Sequence, residues 1–176
     1  MKRLILFLFL LTYSGIAVAQ QIRSANGYVR FFSSAPIEDI TATNDKAVGM
    51  FDPGSVEVAF LVPISEFVFR KSLMSQHFNE NYMETDRFPE ATFVGKIVGY
   101  KPGEGMGQAQ AIGELQIHGV RRQVSLPGTI RQEGNKLSME SVFKVRLEDY
   151  GIEIPSILFQ NIAEVVEVTV KFEFNL

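Results

Sequence analysis

From Val166 to Asn175 the chain alternates without a break: Val166, Val168, Val170, Phe172 and Phe174 are apolar, while Glu167, Thr169, Lys171, Glu173 and Asn175 between them are polar. Successive side chains of a β-strand point to opposite faces, so this pattern specifies a strand with one buried and one solvated side. The same reading makes Val56, Val58, Phe60 and Val62 inward positions of an earlier strand. Between Lys136 and Leu147 the set Leu137, Met139, Phe143, Val145 and Leu147 faces one way, against Ser138, Glu140, Lys144 and Arg146. Several such half-buried strands in one chain require a common interior.

Less regular strands are expected over Ile22 to Ser33, Ile37 to Thr43, Ala47 to Phe51, Ala91 to Tyr100, Gly107 to His118 and Arg121 to Arg131. Turn chemistry separates them at Asn44-Asp45, Asp52-Pro53-Gly54, Lys101-Pro102-Gly103, His118-Gly119 and Glu133-Gly134-Asn135. Strand runs joined by short turns point to an antiparallel sandwich or a closed barrel, and closure is preferred because it removes the edge strands. The stretch Pro63 to Tyr82 differs: Phe67, Leu73, Met74, His77 and Phe78 fall near helical spacing, which predicts one or two short helices. A further helix or irregular plug is expected over Pro155 to Ile162.

Lys2 and Arg3 precede an apolar run from Leu4 to Leu11, and Ala17-Val18-Ala19 offers the small residues a signal peptidase reads. The expectation is a signal peptide over residues 1–19 and a single exported domain over 20–176. The apolar run is too short to span a bilayer, which takes roughly 20 residues, so no stable membrane insertion is expected. There is no cysteine, hence no disulfide, and stability must come from an ordinary core. Of 17 basic and 20 acidic residues, the predicted cleavage removes Lys2 and Arg3, leaving 15 against 20. That sign argues against a nucleic-acid partner.

Few residues here suit catalysis. His77 and His118 lie in different expected elements, so no histidine metal site and no cofactor are expected. Ser33, Ser34 and Ser65 lack the surroundings of an activated nucleophile. Gly103, Gly105 and Gly107 have the wrong spacing for a dinucleotide loop and read as a hairpin tip. His118 reads as part of a tight turn in which Gly119 supplies positive φ, with contact to a ligand head group as the alternative.

The inward aromatic residues either fill a solid core or line an apolar tunnel, and small barrels are commonly filled. Ala109, Ala111 and Gly113 share a face with Leu115 and Ile117, and Gly95 and Gly99 share one with Phe93 and Ile97. Those small residues either leave room for a slender chain or relieve crowding at bends. If the interior is hollow, the wall would comprise Phe31, Phe60, Phe67, Phe78, Phe93, Leu115, Ile117, Phe143, Val145, Val168, Val170 and Phe172, with His77, Asn81 and Tyr82 near one mouth meeting a polar head.

The hairpin Gly113-Glu114-Leu115-Gln116-Ile117-His118-Gly119-Val120-Arg121-Arg122-Gln123-Val124-Ser125-Leu126-Pro127 resembles the most recognisable hairpin of the YceI-like family. Asp86-Arg87-Phe88-Pro89-Glu90-Ala91-Thr92-Phe93, and Asp149-Tyr150-Gly151-Ile152 followed by Pro155, are similar to two more of its segments in the expected order. The resemblance implies an all-β, extended antiparallel lipocalin-like barrel with one or two short helices. It further implies a non-enzymatic periplasmic carrier of a long isoprenoid or acyl lipid, of polyisoprenoid or isoprenoid quinone type, with a homodimer left open. Two stretches depart from the family pattern: Ser24 to Ser34 with no Trp, and Phe69 to Tyr82, which implies a different head group or a shorter chain. The rival expectation is a filled-barrel interaction protein of the envelope stress response.

Overall fold

The computed structural model describes residues 21–34, 39–103, 105–154 and 163–176. The expected signal peptide, the plug over Pro155 to Ile162 and the start of the strand placed at Ile37 lie outside the described residues. Among the described residues there are ten strands: β1 (Ile22–Ser33), β2 (Ile40–Asn44), β3 (Val48–Phe51), β4 (Glu57–Pro63), β5 (Val68–Phe69), β6 (Glu90–Val98), β7 (Met106–Ile117), β8 (Val120–Glu133), β9 (Lys136–Arg146) and β10 (Val165–Asn175). Eight of them close a ring in the order β1, β3, β4, β6, β7, β8, β9, β10 and back to β1, every pairing antiparallel. The expected closed barrel is the observed fold.

The remaining strands come from a split in the wall. β2 and β3 keep one register along β1, with Asn44 opposite Val29 and Phe51 opposite Ile22, but the chain leaves the ladder between them. β4 follows β3, while β5 follows β2. Asn44 sits at the parting, fully buried; its Nδ2 donates to the Pro63 carbonyl (2.7 Å) and its Oδ1 accepts from the Lys46 amide (2.8 Å). Val56, expected on a strand, instead lies in the preceding turn with φ of 56°. The Asp52 carboxylate organises that turn by accepting from the Gly54 amide at 2.8 Å and the Ser55 amide at 3.3 Å.

Between β4 and β6 the chain forms a 3-10 turn (Ile64–Glu66), β5, the short helix α1 (Ser72–His77) and a π-helical turn (Phe78–Tyr82). Short helical pieces were expected here, whereas the two-residue β5 was not. One end of the barrel is filled by Phe51, Phe174 and Leu137, all essentially inaccessible, with Tyr100 meeting Phe51 edge to face at 5.2 Å. The next layer is a stacked pair, Phe60 and Phe172, with ring centres 4.2 Å apart. Gly27 and Gly49 make that layer possible, since a Cβ on either would come within 2.8 Å of those rings. The α1 end is the opposite one, where β1 and β4 finish and β6 and β10 begin.

Candidate functional site: an apolar cavity inside the barrel

Between the Phe60–Phe172 layer and the α1 end the interior is not packed solid. A cavity of about 240 Å³ lies there, with an almost wholly apolar lining. Phe31, Phe60, Phe67, Phe78, Phe93, Leu115, Ile117, Phe143, Val145, Val168, Val170, Phe172 and Tyr82 all border it. They meet there because inward positions on neighbouring antiparallel strands stand opposite one another: Phe93 faces Leu115, Phe143 faces Val168, and Phe31 also faces Val168.

Two residues named from the sequence lie elsewhere. His77 and Asn81 do not border the cavity, and Asn81 is exposed. Met74, Phe78 and Tyr82 recur at every fourth residue and turn one helical stripe to the barrel, so His77 and Asn81, one position earlier, fall on its flank. Burial pushes the Tyr82 phenol above its ordinary value.

The structure also divides the small residues into two kinds. Ala109 and Ala111 line the cavity and leave it room. Gly95 and Gly113 stand opposite one another on β6 and β7, and a Cβ on either would meet the other strand's backbone at 2.3 Å or less. That pair serves a close approach of two backbones, not ligand space.

Other wall residues were not among those expected to line a hollow interior. Phe69 packs among Phe31 and Phe78 at 5.8 and 4.9 Å between ring centres. Leu126 and Ile130 share one face of β8, a pattern legible as period two but obscured by Pro127 and Gly128. Ser33 is buried on the wall, and its Oγ accepts from the Ala163 amide at 2.9 Å. It has no base beside it among the described hydrogen bonds.

His118 is not on the cavity wall. It occupies the β7–β8 turn with φ of 51°, followed by Gly119 at 75°, so both turn residues are left-handed. Its Nδ1 meets the Tyr150 carbonyl at 3.3 Å and its Nε2 the Glu84 carboxylate at 3.2 Å, while its ring lies 4.3 Å from Phe88. The side chain ties the hairpin to the loop after α1 and to the 3-10 turn Leu147–Tyr150. The Arg87 guanidinium, hydrogen-bonded to Glu84 at 2.6 Å, is the first cause holding the Glu84 carboxyl below its ordinary value, and His118 adds to it.

A closed antiparallel barrel around an apolar cavity, with no cluster of titratable groups among the described residues that line it, defines a hollow binding barrel. The YceI-like domain matches residues 20–174, and the chain belongs to the YceI-like family. Similar solved structures share the fold. BcnA of Burkholderia cenocepacia superposes with a TM-score of 0.70 at 18% identity, covering 84% of this chain and 95% of that one. A polyisoprenoid-binding domain from Saccharophagus degradans, implicated in plant cell wall breakdown, gives 0.75 at 16% identity, covering 89% and 99%. A Campylobacter jejuni YceI protein gives 0.57 at 16% identity, covering 100% and 99%. No curated protein matches the chain.

Proposed function

We propose that this protein is a periplasmic carrier that encloses the apolar tail of a long-chain amphiphilic lipid, of isoprenoid or quinone type, without transforming it. The cavity carries this reading. At roughly 24 cal/mol per Å³ of unfilled core, leaving about 240 Å³ empty forfeits on the order of 6 kcal/mol of packing. A domain of this size has a net stability of only about 5–15 kcal/mol, so an interior kept hollow at that cost calls for a guest. An apolar void of this kind does not hold water well, because water needs polar partners. Hydrocarbon fits it, each buried methylene contributing about 0.8 kcal/mol.

Family membership and the Saccharophagus degradans polyisoprenoid-binding domain support the same ligand class. The test is native mass spectrometry of protein purified from its own envelope, followed by organic extraction of whatever it releases. A stoichiometric isoprenoid or acyl lipid is the expected result. Empty protein that also refuses added quinones and polyprenyl lipids overturns the proposal.

A further inference from the structure

Besides the split at Asn44, the barrel wall parts along a second seam. β7 and β8 stay paired from Met106 opposite Arg131 to Ile117 opposite Val120, and β9 and β10 from Lys136 opposite Asn175 to Arg146 opposite Val165. Among the described residues, the β8–β9 ladder runs only from Glu133 opposite Lys136 to Gly128 opposite Ser141. Pro127 explains the stop. The Ser141 hydroxyl donates to the Pro127 carbonyl, so the backbone of Pro127 faces β9, where a proline has no N–H to offer. Val142, which would stand opposite in a continued ladder, is 51% exposed.

Further along, Arg122 reaches from β8 to the turn after β9, donating from Nε to the Asp149 carbonyl at 2.5 Å and pairing with the Asp149 carboxylate at 3.2 Å. The seam is therefore a window, framed at one end by Pro127 and Ser141 and at the other by Arg122 and Asp149. Five residues of strand give it a length of about 17 Å.

The cavity reaches this window. Leu126 of β8 and Phe143 and Val145 of β9 lie along it and border the cavity, as do Gly128 and Thr129 and their partners Ser141 and Glu140 in the last rungs of the ladder beside it. Thr129 and Glu140 hold outward register positions next to the inward Ile130 and Met139, so the cavity here meets the wall itself. Phe143 points inward and is half-buried. By contrast, Phe51, Phe174 and Tyr100 fill one end of the barrel, and Phe31, Phe67, Phe69 and Phe78 interlock at the other.

We infer that the window between β8 and β9 is a side port through which an apolar chain passes into and out of the cavity. The inference rests on the carrier reading above. Parting the β6–β7, β7–β8 or β9–β10 wall breaks a run of ladder hydrogen bonds, each worth about 0.5–1.5 kcal/mol net, and the split at Asn44 is covered by the interlocked rings of Phe31, Phe67, Phe69 and Phe78. Here the fastening is a half-exposed Arg122–Asp149 pair, of a kind worth about 0–1 kcal/mol, its hydrogen bond to the Asp149 carbonyl, the Arg122 guanidinium 5.9 Å from the centre of the Tyr150 ring, and the His118 contact to the Tyr150 carbonyl beyond them.

Ser125 and Lys144 flank the window on its outer face, are exposed, and do not border the cavity. The chain has no native cysteine, so the double variant Ser125→Cys, Lys144→Cys can be bridged by a cleavable bifunctional maleimide without side reactions. Circular dichroism and the melting temperature, compared with the same variant capped by a monofunctional maleimide, establish that the bridged barrel is folded. The probe is the fluorescent fatty acid cis-parinaric acid, with release followed into excess phosphatidylcholine vesicles. Bridging should slow both uptake and release by about tenfold or more, with the equilibrium affinity kept, and cleavage of the bridge should restore the rates. Arg122→Ala should speed release. Unchanged rates in the folded, bridged protein overturn the port while leaving the carrier standing; a native protein that takes up neither this probe nor a polyprenyl lipid overturns both.

Discussion

Asn44 occupies the point where β2 leaves β3, and its amide group supplies on one side a donor to Pro63 and on the other an acceptor for Lys46. No water reaches it, so its removal strands the Pro63 carbonyl and the Lys46 amide in a dry place. Asn44→Ala should lower stability by about 1–3 kcal/mol, read from the denaturant midpoint at unchanged m-value. His118 and Glu84 join three segments in a similar way, and here the response depends on pH. A carboxyl held below its ordinary value of 4.5 adds stability above that pH and loses its contribution as the pH falls through the lowered folded-state value. Asp52, held low first by the Gly54 amide, acts in the same direction. The melting temperature should therefore fall on acidification below the ordinary carboxylate range, and Glu84→Gln should flatten part of that slope. An equal slope in the variant would place the acid sensitivity elsewhere. The hydrogen-bonding residues of these junctions were legible as turn formers, but their partners were not, because each partner is distant along the chain.

The strands were readable because their side-chain period is two and each buries one face. β9 and β10 lie within a residue or so of where alternation places them, and β1 spans the Ile22 to Ser33 expected for a less regular strand. β5 was not readable, since two residues carry no period and its pairing with β2 depends on the split at Asn44. The Gly95–Gly113 crossing was half readable: the glycines are evident, the closeness of the two backbones is not. Replacing Gly113 by Val puts a Cβ about 2.2 Å from the Val94 carbonyl oxygen, whereas Gly107 has nothing within 4 Å of its Cβ position. Gly113→Val should cost about 1–3 kcal/mol or more through the forced parting of β6 and β7, and Gly107→Ala should be close to neutral. Thermal melts of the two variants side by side check this; equal effects would show that the crossing tolerates a side chain.

The closed ring turns a set of half-buried strands into a shared interior, and whether that interior holds a guest depends on how the rings pack. Phe172 is 2% exposed and stacked on Phe60, so a charge there should unfold the barrel and say nothing about binding. Phe143 sits half-buried on the cavity wall. Phe143→Asp should leave a folded protein, by far-ultraviolet circular dichroism, that no longer retains lipid through purification; full retention would remove this wall from the site. In the opposite sense, Phe60→Ala should lengthen the cavity toward Phe51 and Phe174, destabilise the empty protein by about 3–5 kcal/mol, and recover part of that loss when a longer polyprenyl chain is added. A melting temperature that does not respond to added chain would show that the floor is not adjustable.

Alternation and turn chemistry were enough to narrow the fold to an antiparallel sandwich or a closed barrel with an apolar interior, closure being preferred, because strand period and turn geometry are local properties of a few neighbouring residues. They also placed most of the cavity wall, since an inward residue on a closed barrel has nowhere else to point. Three features waited for the assembled fold: that the interior is hollow, that His77 and Asn81 stand off the wall, and that the wall opens beside Pro127. Each depends on how residues far apart in the chain fit against one another, on the volume left between rings from six or more strands and on a ladder that ends where one strand lacks a donor. No local pattern carries that information.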